Sequence, residues 1–186
     1  MKRKEFRIYG SGGQGVITLG HLIGSAALLD GCEVAMTEEY SPQITGGWSS
    51  ADLVISDEEI DYPLVRNPDY LLALNQEGFD SNIARMRKGS AVLVDSELVD
   101  SSDAPGNGKP GEMSHAIIMG VSARKIAVSL GTPNSGNVAM FGFLSRISGI
   151  PTKKSCMESI KKRFPKRAEE NVKAFEKGYD AGGKFE

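Results

Sequence analysis

A glycine-rich loop near the start of the chain contains the residue types and spacing that could do chemistry. Gly10, Gly12 and Gly15 fit the pattern G-x-G-x-x-G, and Gly13 and Gln14 lie between them. Glycine lets phosphate groups approach the backbone, and a following helix offers unpaired N–H groups and the positive end of its dipole. We therefore predict that these five residues form an anion-binding or cofactor-binding loop. A tight turn that binds nothing is the alternative.

A second loop, YSPQITGGWSS, follows some 25 residues later. Its proline stiffens the entry, and its two glycines permit a left-handed backbone or a very close neighbour. It also holds the only tryptophan of the chain, and large rigid aromatic side chains are common anchors of protein interfaces. The pattern predicts a contact with a partner chain made by Pro42, Gln43, Thr45, Gly46, Gly47 and Trp48. An ordinary turn with a half-buried tryptophan is the alternative.

Strand and helix patterns alternate around these loops. Strands are predicted over 6–9, 32–40, 51–55, 67–75, 91–96 and 115–121, and helices over 14–30, 76–90, 122–131, 132–151 and 168–179. This order predicts an α/β fold: a single three-layer α/β/α domain over 1–186, with a Rossmann-like βαβ start and a mostly parallel or mixed sheet. Residues 179–186 are predicted to form a frayed tail. Gly136 and Gly142, inside a predicted helix, suggest close packing against a neighbour.

The composition argues against several classes of function. The net charge is −2, with 22 basic and 24 acidic residues, so we expect no nucleic-acid binding. The one basic cluster, 153–167, is predicted to be a solvated helix face. No apolar run reaches the ~18 residues of a membrane span, and no apolar leader is seen, so we expect a cytoplasmic protein without a membrane partner.

The metal-binding side chains are few. The chain contains Cys32, Cys156, His21 and His115, without a C-x-x-C pair. A zinc or iron–sulfur site needs about four ligands, so we predict that this chain holds no metal. No nucleophile and base occur in a recognisable arrangement, and we therefore predict no catalytic residue.

Three stretches together resemble the γ subunit of 2-oxoacid:ferredoxin oxidoreductases. They are GSGGQGVITLGHLIGSAALLDG, EEYSPQITGGWSSADLVISDEEIDYP and NPDYLLALN. Further matches to the family lie in NVAMFG and ENVKAFEKGY, so the resemblance extends over nearly the whole chain. Two positions depart from the family pattern, because Thr45 stands where an arginine is usual and Gln43 where a glutamate is usual.

The resemblance implies a non-catalytic subunit of an enzyme that oxidises a 2-oxoacid to an acyl-coenzyme A and passes electrons to ferredoxin. It implies α, β and δ partner subunits, with thiamine diphosphate, magnesium and iron–sulfur (4Fe-4S) clusters in the holoenzyme. This chain would serve assembly and coenzyme A access. The implied substrate is 2-oxoglutarate, with pyruvate, ketoisovalerate or indolepyruvate as alternatives. A free-standing NAD(P)-binding module, with Glu38 or Glu39 on the ribose, and a plain interaction scaffold are the competing interpretations.

Overall fold

The computed structural model of the chain describes residues 3–41, 47–102 and 116–185. The strands are β1 (Lys4–Ser11), β2 (Glu33–Tyr40), β3 (Trp48–Ser56), β4 (Tyr70–Ala73), β5 (Ala91–Asp95) and β6 (Ile117–Val121). The helices of the described ranges are α1 (Val16–Leu29), α2 (Gln76–Ile83), α3 (Ala123–Ser129), α4 (Gly136–Ser148), α5 (Lys153–Arg163) and α6 (Ala168–Gly182). Short 3-10 turns occupy Pro133–Ser135, Pro165–Arg167 and Gly183–Phe185.

The strands form one sheet in the order β2-β3-β1-β4-β5-β6. β1, β4, β5 and β6 run parallel to one another, whereas β3 runs antiparallel to both of its neighbours. The predicted α/β fold with a mixed sheet is confirmed. The β-α-β order of the start is also present, but β3 lies between β1 and β2, so these two strands are not neighbours in the sheet.

Helices cover the two faces of the sheet unequally. On one face, α1, α4, α5 and α6 join the strands in a continuous core that includes Phe6, Leu53, Phe141 and Phe175, each at most 1% exposed. On the other face, α2 packs against β4 and β5 in a smaller cluster around Phe79. Among the described helices, only α2 lies on this second face. The part of the face over β2 and β3, with the adjoining side of β1, is called the open sheet face below.

A charged pair links β1 to β3 on the open sheet face. Arg7 donates from Nε and Nη2 to the two carboxylate oxygens of Asp52, at 2.8 and 2.6 Å, and from Nη1 to Oδ1 of Asn82 in α2 at 3.3 Å. Hydrogen bonding to Asp52 raises the pKa of Arg7, although burial acts against the charged form. Because bidentate pairs have strict geometry, this contact favours a single register of β3 on β1.

Several predicted boundaries are corrected. The strand predicted over 51–55 begins already at Trp48. The helix predicted over 76–90 ends at Ile83. The helix predicted over 132–151 is interrupted, because a 3-10 turn precedes α4. Ends of elements depend on capping and on tertiary contacts, which periodicity does not report.

The C-terminal segment is more ordered than the frayed tail predicted over 179–186. α6 continues through Gly182 and is followed by a 3-10 turn. The ring of Phe185 lies 5.6 Å from the ring of Phe143 in a T-shaped arrangement. This contact attaches the end of the chain to α4, which is remote in sequence. The composition of the segment, which is typical of a frayed tail, does not report it.

Two glycines let α4 and α6 approach until their backbones touch. A Cβ on Gly142 would clash with the carbonyl oxygen of Phe175, and a Cβ on Gly178 would clash with the carbonyl oxygen of Ala139. The predicted close packing is therefore confirmed at Gly142. It is not confirmed at Gly136, where a Cβ would meet its nearest neighbour at an ordinary 3.8 Å.

Replacing Gly142 or Gly178 with alanine is expected to lower the free energy of unfolding by about 2 kcal/mol, because the helices must separate to admit the methyl group. Urea denaturation of the full chain measures this loss. Gly136→Ala is the matched control, and it is expected to stabilise the chain by up to about 1 kcal/mol through higher helix propensity. Equal effects at positions 136 and 142 would contradict the proposed backbone contact.

Candidate functional site

The glycine loop joins the end of β1 to the start of α1. Gly13 and Gly15 have φ angles of 89° and 77°, a left-handed conformation that glycine adopts without strain. Gly15 is the N-cap of α1, and its carbonyl accepts a hydrogen bond from Leu19 N at 2.9 Å. The N–H groups of the next three residues therefore lack intrahelical acceptors. The predicted position of the loop, at a helix N-terminus, is confirmed.

The side chain of Gln14 is folded into the loop. Its Oε1 accepts a hydrogen bond from Ser11 N at 2.6 Å, and its Nε2 donates to the carbonyl of Leu74 at 2.8 Å. A Cβ on Gly10 would lie 2.6 Å from this Oε1, so Gly10 leaves room for the amide. Gln14 thus joins the loop to the end of β4, and both residues shape the loop rather than present a free group.

Part of the loop's hydrogen-bonding capacity is used by the chain itself. Gly12 N donates to the carbonyl of Gly47 at 2.7 Å, and Gln14 N donates to the carbonyl of Ser11 at 3.1 Å. The N–H groups of Gly13 and Gly15 make no hydrogen bond within the described ranges. The donors left for an anion are these two groups and those of the first turn of α1.

A cleft of about 330 Å³, here called the glycine cleft, opens between the loop and the start of β3. It is lined by Gly12, Gly13, Gly15, Val16, Ile17, Thr18, Tyr40, Ser41, Gly47, Trp48 and Ser49. The structure therefore brings the predicted glycine loop together with the second predicted loop, including two of the predicted interface residues, Gly47 and Trp48. The other predicted interface residues, Pro42, Gln43, Thr45 and Gly46, lie outside the described residues.

Trp48 is half-buried, as in the alternative interpretation of the sequence, but it is the first residue of β3 rather than part of a turn. Its ring stacks on Tyr9, with ring centroids 5.4 Å apart and an 18° angle between the planes. The hydroxyl of Tyr9 donates a hydrogen bond to Glu77 in α2 at 3.4 Å. Burial, together with the charge of Glu77, raises the pKa of Tyr9 to about 12. Trp48 is therefore held against Tyr9 of the same chain, on the open sheet face.

A second cleft, of about 450 Å³, opens on the other side of the glycine loop, outside the carboxyl ends of β4 and β5. Ligands of open parallel sheets bind in this position. Asp95, Arg124 and Asn137 contribute to its walls. Asp95 is 4% exposed and accepts a hydrogen bond from Arg124 N at 2.9 Å, and burial raises the pKa of its carboxyl. The sequence prediction missed Asp95 and Arg124, which no motif distinguishes from other surface charges.

Asn137 packs directly against the glycine loop, since a Cβ on Gly15 would clash with its amide. The asparagine was noted in the sequence only as a family match at the start of a helix. Ser11, at the end of β1, also belongs to the site, because its Oγ accepts a hydrogen bond from Asn75 at 2.7 Å. These contacts connect α4 and β4 to the loop.

A larger cleft, of about 710 Å³, lies at the opposite end of the strands. The carboxylate of Glu5 in this cleft is bound by the chain itself. It pairs with the side chain of Arg3 at 2.8 Å and accepts a hydrogen bond from the main-chain N–H of Arg66 at 3.2 Å. The carboxylate of Glu5 is thus already occupied by neighbouring donors. We place the candidate site at the glycine loop, where N–H donors remain free.

Within the described ranges, this fold does not place an acidic residue where a dinucleotide-binding site needs one for the ribose. In a Rossmann site, the acid ends the strand that follows α1, and that strand lies parallel to β1 and next to it. Here the strand that follows α1 is β2, and antiparallel β3 separates it from β1. Glu38 and Glu39 lie on β2, one strand further away. Glu38 is also engaged by its neighbours, His21 at 3.2 Å and the hydroxyl of Tyr40 at 2.5 Å.

The described residues bring no three His, Cys, Asp or Glu side chains together in a way that could hold a metal ion. Cys156 is buried, which raises the pKa of its thiol to about 12, and burial also raises the pKa of the half-buried Cys32. His115 lies outside the described residues. No described helix is both long and apolar enough to cross a bilayer.

The family model described as pyruvate ferredoxin/flavodoxin oxidoreductase matches residues 5–181. The chain belongs to this family. Within the family, it is 38% identical over 180 residues to the 2-oxoglutarate synthase subunit KorC of Methanocaldococcus jannaschii, covering 96% of this chain and 93% of that protein. It is 33% identical to the ketoisovalerate oxidoreductase subunit VorA of Methanothermobacter marburgensis, covering 94% of this chain and 35% of that protein.

Solved structures of the oxidoreductase family have the same fold. The γ subunit of a keto/oxoacid ferredoxin oxidoreductase from Geobacter sulfurreducens has a TM-score of 0.81 at 28% identity, covering 97% of this chain and 99% of that one. The 2-oxoglutarate:ferredoxin oxidoreductase of Magnetococcus marinus has a TM-score of 0.84 at 23% identity. The match covers 99% of this chain but 32% of that one, so the chain spans about a third of it. The resemblance seen in the sequence is confirmed.

Replacing Gln14 with leucine is expected to lower the free energy of unfolding by about 2 kcal/mol, because Ser11 N and the carbonyl of Leu74 both lose their partner. Gln14→Glu keeps an acceptor for Ser11 N but sets a carboxylate against the Leu74 carbonyl. Its carboxyl should therefore have a raised pKa in the folded chain.

The two variants differ in their pH dependence. The Gln14→Glu deficit relative to wild type should shrink as the pH falls through the carboxyl's pKa, because the protonated group can donate to Leu74. The Gln14→Leu deficit should stay constant. Urea denaturation between pH 5 and 8 measures both, and a pH-independent Gln14→Glu deficit would contradict the assigned contacts.

Proposed function

We propose that the chain is the γ subunit of a multi-subunit 2-oxoacid:ferredoxin oxidoreductase that acts on 2-oxoglutarate. The observation that carries the proposal is the full-length similarity to subunits named for 2-oxoglutarate synthase. Subunits named for ketoisovalerate and pyruvate oxidoreduction are similar to a lesser degree. Pyruvate, ketoisovalerate and indolepyruvate are therefore the competing substrates.

In the proposed reaction, the bond between the carboxyl and keto carbons breaks and carbon dioxide leaves. Two electrons pass to ferredoxin, the acyl group bonds to the sulfur of coenzyme A, and the thiol proton of coenzyme A is released. We propose that thiamine diphosphate, magnesium and the 4Fe-4S clusters lie in the α, β and δ partner subunits, as the family resemblance implies. We assign no catalytic residue to this chain.

The glycine cleft is our proposed place for coenzyme A access. Coenzyme A carries phosphate groups, and the free N–H groups of Gly13, Gly15 and the first turn of α1 are donors of the kind that bind phosphate. Gly10 and Gln14 hold the loop in shape, and Gly12 joins it to Gly47. The Magnetococcus marinus structure, which shares this fold, has coenzyme A bound.

The open sheet face is our proposed contact with a partner subunit. It carries the Tyr9–Trp48 stack and lacks a described covering helix. Large aromatic side chains are common anchors of protein interfaces, so we propose that another chain covers this stack. Gly47 borders this face, and we propose that Pro42, Gln43, Thr45 and Gly46, which precede it in the chain, belong to the same contact.

Co-expression with its α, β and δ partners is the test of the proposed function. We expect the chain to co-purify with them and to support ferredoxin reduction that requires both 2-oxoglutarate and coenzyme A. The kcat/KM for 2-oxoglutarate should exceed that for pyruvate by at least about 10-fold. A complex that prefers pyruvate, ketoisovalerate or indolepyruvate would overturn the substrate assignment.

Gly12→Val is expected to raise the KM for coenzyme A by about 10-fold with little change in kcat, since it weakens binding without touching the reacting atoms. The valine side chain would fill the narrow space beside the carbonyl of Gly47, 3.4 Å from the new Cβ. Gly12→Ala, which adds only this Cβ, should have a much smaller effect. An unchanged KM in the valine variant would show that coenzyme A does not use this cleft.

Trp48→Ala is expected to weaken the subunit complex by about 30-fold, which corresponds to about 2 kcal/mol. The isolated chain should lose only about 1 kcal/mol of stability, the value of one stacked aromatic pair. Trp48→Phe preserves a ring against Tyr9 and serves as the control. Calorimetric melts and binding to the immobilised partners measure the two effects, and a stability loss with unchanged affinity would place Trp48 outside the contact.

A further inference from the structure

A groove of about 400 Å³ runs between α1 and α5 on the helical side of the sheet, and is here called the α1–α5 groove. α1 contributes His21, Ser25, Leu28 and Leu29, and α5 contributes Lys162 and Arg163. None of the functions proposed above uses this groove. Its floor is Leu22, whose carbonyl accepts a hydrogen bond from the hydroxyl of Ser159 at 2.9 Å, so this backbone oxygen is already paired.

Two exposed leucines form the apolar part of the α1 wall of the groove. Leu28 and Leu29, in the last turn of α1, are 59% and 40% exposed. Most leucines of the chain are buried, among them Leu19 and Leu22 in the same helix. Two adjacent exposed leucines beside a concave surface are the kind of feature that a binding partner covers.

The α5 wall of the groove is cationic. The segment 153–167 carries seven basic residues and one acidic residue in a chain of net charge −2. α5 buries Cys156 and Ile160 against the core, so its charges lie on the outer surface. Glu158 pairs with Lys162 at 2.9 Å. Arg163 makes no ion pair within the described ranges, and its guanidinium lies 5.3 Å from the centroid of the Phe164 ring. The unbalanced positive charge at the groove is therefore that of Arg163.

We infer that the α1–α5 groove binds an acidic amphipathic helix from another subunit of the complex, an inference that rests on the proposed function. The helix would place aliphatic side chains against Leu28 and Leu29 and carboxylates beside Lys162 and Arg163, as in helix-in-groove recognition. The charge selects an acidic partner. The concave shape favours a helix over a membrane surface, since α5 has no outward apolar stripe to insert into lipid.

The reactivity of a cysteine introduced into the groove reports whether a partner covers the groove. Ser25 is exposed within the groove, so Ser25→Cys places a reactive thiol there. Cys32→Ser is introduced with it to remove the partly exposed natural thiol, and the remaining natural cysteine, Cys156, is buried. The rate of reaction with a maleimide is measured for the isolated chain and for the assembled complex. We expect at least a 10-fold slower reaction in the complex. Lys88→Cys, in an exposed turn after α2, is the control and should react equally in both.

The charge of the groove is tested separately. The double variant Lys162→Glu with Arg163→Glu should weaken binding to the partner subunits by at least 10-fold at low salt. This effect should diminish as the ionic strength rises from about 0.05 M to about 0.5 M. Lys173→Glu with Lys177→Glu, on the exposed side of α6, makes the same change in net charge away from the groove and should bind like wild type.

The outcomes separate this inference from the proposed function. A complex that assembles while the thiol at position 25 stays fully reactive overturns the groove inference alone. Protection by vesicles of phosphatidylserine and phosphatidylcholine, without protection in the complex, would assign the groove to a membrane. Protection that grows with the concentration of the isolated chain would assign it to a second copy. A wild-type chain that recruits no partner subunit overturns both proposals.

Discussion

β3 pairs antiparallel with β1 along the whole of β1, from Lys4 opposite Ile55 to Ser11 opposite Trp48. This register sets the start of β3 beside the glycine loop, where Gly12 N reaches the carbonyl of Gly47. The bidentate pair of Arg7 and Asp52 is compatible with this register only. A shift by one residue would turn every β3 side chain to the opposite face. It would bury a carboxylate in the core and remove the wall of the glycine cleft.

The same pairing changes what the glycine loop can do. A dinucleotide fold would place the strand after α1 directly beside β1, with an acid at its end. Here antiparallel β3 lies in that place, and Gly47, just before β3, accepts a hydrogen bond from one of the loop's N–H groups. Gln14 uses two more of the local backbone groups. The loop is therefore held by hydrogen bonds of the chain itself, and the N–H groups of Gly13 and Gly15 are left as donors for the proposed anion site. In the proposed complex, other chains would supply the remaining contacts to the ligand.

The remaining surfaces divide between the two sides of the sheet. On one side, α4 and α6 pack closely together, and α1 and α5 complete this helical layer. The α1–α5 groove, with its basic residues and exposed leucines, lies on that layer. The other side is covered by α2 over β4 and β5 only, which leaves the Tyr9–Trp48 stack at an edge. Uncovered surfaces of this kind are typical of a component of a larger assembly, and the relatives of this chain are named as subunits.

The amino-acid sequence by itself determined the alternation of strands and helices, the glycine loop before α1 and the family, because these features depend on local periodicity and on short motifs. Only the tertiary structure decided that β3 separates β1 from β2, that Gln14 turns inward and that Trp48 stacks on Tyr9. The packing roles of Gly178 and Phe185, and the place of Asp95 and Arg124 in the second cleft, were likewise not predicted. Their roles depend on neighbours distant in the chain, and strand pairing and helix approach are set by the packing of the whole molecule.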